Sequence, residues 1–132
     1  MNRATRASYD SWGTSVQVDY GSGQPARIDG TVGGNIAVEV ESRVSKQIRG
    51  AVLDLICHPY PKKLLVLLPV HMSDPEIAAS QCRHIMSRFL EQSDFRVVVL
   101  VGHGYRDAIK TDASRVTEAL SQLGFTGAVQ ET

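Results

Sequence analysis

The sequence predicts an α/β fold: a mixed central sheet in which a β-hairpin is followed by βαβ units, with helices on both faces. Three observations carry this. Leu64 to Leu68 and Phe95 to Val101 are short, continuous apolar runs bounded by Lys62-Lys63 and Pro69 and by Gly102, the pattern of strands buried on both faces. Apolar residues recur at helical spacing in three other stretches. Runs and stretches alternate along the chain, which implies parallel strands joined by helical crossovers.

From the amino end, residues 1–26 are rich in Ser, Gly and Thr and hold no helical period. Val16 to Tyr20 alternates as a strand does, and Gly21 to Pro25 is a turn or loop. The first ten residues are a short helix or an arm carrying Arg3 and Arg6. Gly33-Gly34-Asn35 marks a hairpin turn between Arg27-Ile28-Asp29-Gly30 and Ile36 to Glu41. Val44, Ile48, Ala51, Val52 and Leu55 form the buried stripe of a helix that His58-Pro59-Tyr60-Pro61 ends, since neither proline continues it.

Ser73-Asp74-Pro75-Glu76 reads as a capping box opening a second helix, with Ala78, Cys82, Ile85, Met86 and Phe89 on its apolar stripe. Gly102-His103-Gly104 breaks the strand before a last helix from about Asp112 to Leu123. That helix buries Val116, Ala119, Leu120 and Leu123, with Gly124 as its C-terminal cap.

The 132 residues fit a single domain, and 42% apolar with 21% charged residues is the composition of a globular protein. No apolar run approaches the roughly 18 residues of a membrane span, and no signal-peptide core is present, so a cytoplasmic protein that does not engage membranes is expected. Cys57 and Cys82 are too few for a disulfide framework and read as reduced core thiols. Fourteen basic and fourteen acidic residues cancel, so total charge makes no case for nucleic acid. The bases nevertheless gather locally: Arg27, Arg43, Lys46, Arg49, Lys62 and Lys63 flank the acids of Ile36 to Glu41.

Those acids are the chemistry-bearing feature. On a strand, Ile36, Val38 and Val40 face one way, and Ala37, Glu39 and Glu41 the other. Two carboxylates on one face repel and raise each other's pKa unless a cation sits nearby. Asp29 reaches the same spot if the glycine turn folds the hairpin, and together the three acids offer oxygen ligands suited to Mg2+. The same residues also fit a solvated strand face with Glu39 or Glu41 paired to Arg27, Arg43 or Lys46.

At these positions the chain resembles the PD-(D/E)XK nuclease superfamily, the fold group of many restriction endonucleases. Asp29 matches the first acid and Glu39-Val40-Glu41 the acid-x-Lys triplet, with Glu41 standing where the family has Lys. Lys46, Gln47 and Arg49 match the following helix. The resemblance covers roughly the middle third of the chain. It implies a restriction-endonuclease-like fold and a Mg2+- or Mn2+-dependent endodeoxyribonuclease acting on DNA, as a homodimer or a subunit of a larger complex. In it Asp29, Glu39 and the carbonyl of Val40 bind the metal. Glu41 accepts a proton or holds a second ion, and Lys46 supplies the missing positive charge. Arg43, Gln47 and Arg49 contact nucleic acid. The alternative is an inactive nuclease-fold domain acting in DNA binding or protein assembly.

Other signals are weaker. Gly102-His103-Gly104 offers backbone N–H groups to a phosphate at the carboxyl edge of the sheet, as in a Rossmann-like binder, but a tight turn explains it as well. Cys57-His58 and Cys82-x-His84 do not make one zinc site, because Cys82 and His84 point from opposite sides of their helix. There is no GxGxxG, no Walker sequence and no nucleophile elbow.

Overall fold

In the computed structural model, residues 16–18, 26–44, 46–102 and 105–126 are described. The arm over residues 1–15, the loop from Gly21 to Pro25 and the turn at His103-Gly104 lie outside them. Strands β3 (Gly30–Val32), β4 (Ile36–Glu41), β5 (Lys62–Leu67) and β6 (Phe95–Val99) form one sheet in the order β3-β4-β5-β6. The first pair is antiparallel and the other two are parallel. Strands β1 (Val16–Val18) and β2 (Ala26–Ile28) make a separate antiparallel ribbon, with Val16 opposite Ile28. The fold is therefore mixed α/β.

The hairpin forms where the glycines are. Gly33 and Gly34 both have positive φ (62° and 72°), which residues with a Cβ rarely adopt, and Asn35 N–H donates to the carbonyl of Val32 across the turn. Parallel neighbours require crossovers, and helices α1 (Lys46–Cys57) and α2 (Pro75–Ser87) supply them. Successive right-handed crossovers that advance in one direction along a sheet land on the same face. Accordingly Ile48, Ala51, Val52 and Leu55 of α1 and Ala79, Cys82 and Met86 of α2 share one core with Ala37, Leu65, Leu67, Phe95 and Val97.

Helix α3 (Arg106–Gln122) follows the last strand with no further strand to reach, and it covers the opposite face. Its Val116, Ala119 and Leu120, with Leu123, pack on Ile36, Val38, Leu64 and Val66. Helices thus cover both faces. Each fully buried leucine of β5 contributes about 1.5–3 kcal/mol through the water its side chain leaves.

Several expected details shift. Asp74, not a Ser73-Glu76 box, caps α2: its Oδ1 accepts from Ile77 N–H at 3.1 Å, and Pro75 takes the first turn, where no N–H is needed. The buried stripe of α2 is turned accordingly, leaving Ile85 and Phe89 exposed. Val44 precedes α1 and is also exposed. Helix α3 begins at Arg106, six residues before Asp112, because nothing from there on breaks a helix. At its end Gly124 has φ 93°, Gly124 N–H donates to Ser121 and Phe125 N–H to Leu120, the paired closure expected of a C-terminal glycine. Cys57 is half-buried and Cys82 buried, and both are free thiols.

Candidate functional site

Alternation along β4 puts Glu39 and Glu41 on the face that α1 covers, so neither is the solvated acid of an edge strand; both are buried. The β3–β4 register, Gly30 opposite Val38, carries Asp29 to the position opposite Glu39. There the ladder stops, and side chains take over from main chain. Val40 N–H donates to Asp29 Oδ2 at 2.6 Å, and Asp29 N–H donates to Glu39 Oε1 at 2.8 Å. The two acids brace the point where β2 and β3 part.

This leaves two carboxyl groups facing each other in poor solvation. Burial first, and then the charge of Asp29, push the Glu39 carboxyl up to about 8, against a smaller opposing effect of the Asp29 N–H bond. Glu41 raises it further. Near neutral pH the Asp29–Glu39 pair therefore holds a proton. Neither acid is in an ion pair among the described residues.

Glu41 is committed elsewhere. Its Oε2 accepts from the amides of Ser42 (3.0 Å) and Arg43 (2.8 Å) and from Arg43 Nε (3.1 Å), and Oε1 receives Arg43 Nη2 at 3.4 Å. The acid thus closes the turn that leads out of β4. The structure brings Asp29 and Glu39 together and holds Glu41 in a separate set of contacts. Among the described residues no group of three or more His, Cys, Asp or Glu side chains is arranged to hold a metal ion.

The remaining expected residues lie around this point. Lys62 to Leu67 pair with Ile36 to Glu41, and the amide of Glu41 belongs to that ladder. By alternation the backbone of Val40 turns the other way, toward the gap left where β3 ends. Lys46 is the first residue of α1, and Lys46, Gln47 and Arg49 are exposed. Arg49 lines a cleft of about 800 Å3 between α1 and α2 with Val44, Ile48, Ile77 and Ile85. Arg43, although solvent-facing, is held by Glu41.

A second group of buried polar residues has the opposite sign. Lys63 is 2% exposed, and its ammonium donates to the carbonyl of His58, the residue just past α1. Burial pulls Lys63 down to about 8. His58 is 3% exposed; its Nδ1 accepts from Tyr60 N–H at 3.1 Å, while Nε2 has no partner. Burial, and then the charge of Lys63, lower it to about 4, so it is neutral in most conditions. Lys63 looked like a flanking charge in the sequence, yet its phase with Leu65 and Leu67 marks it as inward-facing.

Of the turn expected to cradle a phosphate after β6, only Gly102 is among the described residues, and its amide is used within the chain. Val101 N–H and Gly102 N–H donate to the two carboxylate oxygens of Asp112, at 2.6 and 3.0 Å. No helix among the described residues is long and apolar enough to cross a membrane. Comparisons of the chain with protein-family models, curated proteins and solved structures find no match.

Proposed function

We propose that the chain is a metal-dependent nuclease of restriction-endonuclease-like fold that hydrolyses phosphodiester bonds in DNA with Mg2+ or Mn2+. It acts in the cytoplasm, as a homodimer or a subunit of a larger assembly. One observation carries the reading: Asp29 and Glu39 are pressed together with no ion pair to either among the described residues, and Glu39 retains its proton to near pH 8. A divalent ion answers that electrostatic need.

The donor set fits Mg2+, which commonly takes one or two protein carboxylates and leaves its other positions to water and substrate phosphate. Asp29, Glu39 and the carbonyl of Val40 would hold it. When bound, such an ion polarises the scissile phosphate and brings a water close to ionisation at neutral pH. Glu39 would have to be ionised to hold the ion, so binding would strengthen as pH rises toward about 8. Lys46, Gln47 and Arg49, exposed on α1, contact the phosphates on either side of the cut. Glu41 keeps Arg43 in place through Oε2, and Oε1, which has only a 3.4 Å contact with Arg43, is the oxygen that would accept a proton or hold a second ion.

The Glu41–Arg43 pairing is also the observation that favours the second reading, a nuclease fold without hydrolysis that binds DNA or assembles with other proteins. Supercoiled plasmid incubated with Mg2+ or Mn2+ separates the two. Nicking that disappears in Glu39→Ala supports the enzyme. Plasmid left intact, with DNA binding retained and no heat of Mn2+ binding by calorimetry, supports the second reading.

A further inference from the structure

Strand β6 is one of the two edges of the four-stranded sheet, opposite β3. Leu100 N–H donates to Leu67, so the even-numbered residues of β6 bond to β5 and Phe95, Val97 and Val99 turn their backbone groups outward. Each of the three outward carbonyls is taken by a guanidinium. Arg96 Nη1 donates to Phe95 at 2.7 Å, Arg83 Nη2 of α2 to Val97 at 2.9 Å, and Arg115 Nη1 of α3 to Val99 at 2.7 Å. The three arginines line one groove of about 340 Å3 between α2 and α3.

This arrangement converts a sheet edge, which normally presents donors and acceptors in alternation, into a surface of donors. Each carbonyl accepts from a guanidinium, and Arg96 also donates from Nε to Gln122 Oε1 at 3.0 Å and from Nη1 to Gln92 at 2.8 Å, which leaves its Nη2 for a ligand. None of the three arginines has a carboxylate within 4.0 Å among the described residues, although Glu76 and Glu118 lie in the same groove. The carbonyls that anchor the guanidinium groups lie two residues apart, about 6.7 Å along the strand.

A peptide strand adding to this edge brings N–H donors to carbonyls that each already accept from a guanidinium, so ordinary ladder pairing would compete with Arg83, Arg96 and Arg115. A phosphodiester backbone brings acceptors alone. We infer that the β6 edge is a phosphate-binding track for a nucleic-acid strand, with Arg83, Arg96 and Arg115 each engaging one phosphate while bonded to the sheet. The carbonyls pre-orient the guanidinium groups, so little side-chain freedom is lost on binding. The track stands on its own observations and does not depend on the metal reading at Asp29 and Glu39.

The test is fluorescence anisotropy of a labelled DNA of about 20 nucleotides, single-stranded and as a duplex, titrated with the full chain in EDTA over a range of salt. Arg83→Gln/Arg115→Gln removes two charges while leaving an N–H donor for each carbonyl. It is expected to weaken binding about tenfold or more at low salt and to lower the log–log salt slope by about 2 on duplex. Arg96→Gln alone is expected to lower it by about 1. Should the double variant fail to melt cooperatively, Arg96→Gln and the two single variants carry the same test. An unchanged slope in folded variants, no binding by the parent chain at low salt, or tighter binding of poly-glutamate than of DNA each overturns the inference. Because the titration contains no metal, its failure leaves the nicking result untouched, and the reverse also holds.

Discussion

Two charged groups lie beneath α1 on the same face of the sheet, Asp29 with Glu39 toward the carboxyl end of β4 and Lys63 with His58 at the amino end of β5. Both are costly to bury. At Lys63 the cost is offset within the fold. Helix α1 has no basic residue in its last turn, and Lys63 reaches from the neighbouring strand to the carbonyl that follows it, placing positive charge at the negative end of the helix. At Asp29 and Glu39 no ion pair is made among the described residues, and only the more distant charge of Arg43 acts on Asp29. The backbone N–H bonds satisfy one oxygen of each acid, and the surplus negative charge is met by a proton. Buried charge answered from within the chain belongs to folding; under the proposed function the Asp29–Glu39 pair is instead answered by a bound cation.

The sharpest way to break this contrast is Glu39→Gln. It should reduce metal-dependent plasmid nicking by about a thousandfold or more while leaving urea stability at pH 8 unchanged or higher, since a buried ionisable group is removed. Lost stability with nicking retained would move Glu39 into the structural class.

Lys63→Met should do the reverse. The His58 carbonyl loses its donor, and the midpoint of urea unfolding should correspond to a loss of about 1–3 kcal/mol, with nicking by the folded protein unaffected.

The pH dependence sharpens the comparison, because the two groups slope oppositely. Glu39 has a raised folded pKa, so its contribution is full below about 4.5 and is lost as pH rises to about 8. His58 is depressed, and stability is gained from about 4 to 6.5, which offsets Glu39 over most of that range. From 6.5 to 8 Glu39 acts alone, and stability of the metal-free protein should fall by up to about 1.4 kcal/mol per pH unit. Above 8 the fall should stop, since the depressed Lys63 adds stability up to 10.5 while the raised Cys82 thiol removes it between 9 and about 11. Urea titrations from pH 6 to 9 check the profile, and Glu39→Gln should flatten it.

The smallest effect is expected at Glu41→Gln. Its ion pair is with an arginine side chain that is 67% exposed, and the amides of Ser42 and Arg43 keep an acceptor, so stability should change by less than about 1 kcal/mol. A fall of several kcal/mol would show that Glu41 shares the burden carried by Glu39.

How much of this was legible in the sequence depends on the range of the interactions concerned. Strand phase and the glycine turn were readable because they are local: alternation from Ile36 to Glu41 and two glycines at the turn fix which side chains share a face. The meeting of Asp29 and Glu39 followed from that register. The fate of Glu41 did not follow, because Arg43 lies only two residues beyond and whether it pairs depends on how the chain leaves the strand. The box at Ser73 failed for a similar reason, since Asp74 one residue on is an equally good cap and the proline after it sets the start of the helix. Arg83, Arg96 and Arg115 are spread over 33 positions and have no shared spacing, so only the assembled edge reveals that they serve one strand.

The order β3-β4-β5-β6 is also the order of synthesis. Each strand emerging from a ribosome finds its neighbour already laid down, and no later strand has to be inserted between earlier ones. The β6 margin is capped by Arg83 at Val97 and by Arg96 at Phe95, and last at Val99 when Arg115 of the final helix arrives. A nascent chain halted before that residue would leave the Val99 carbonyl without its guanidinium donor.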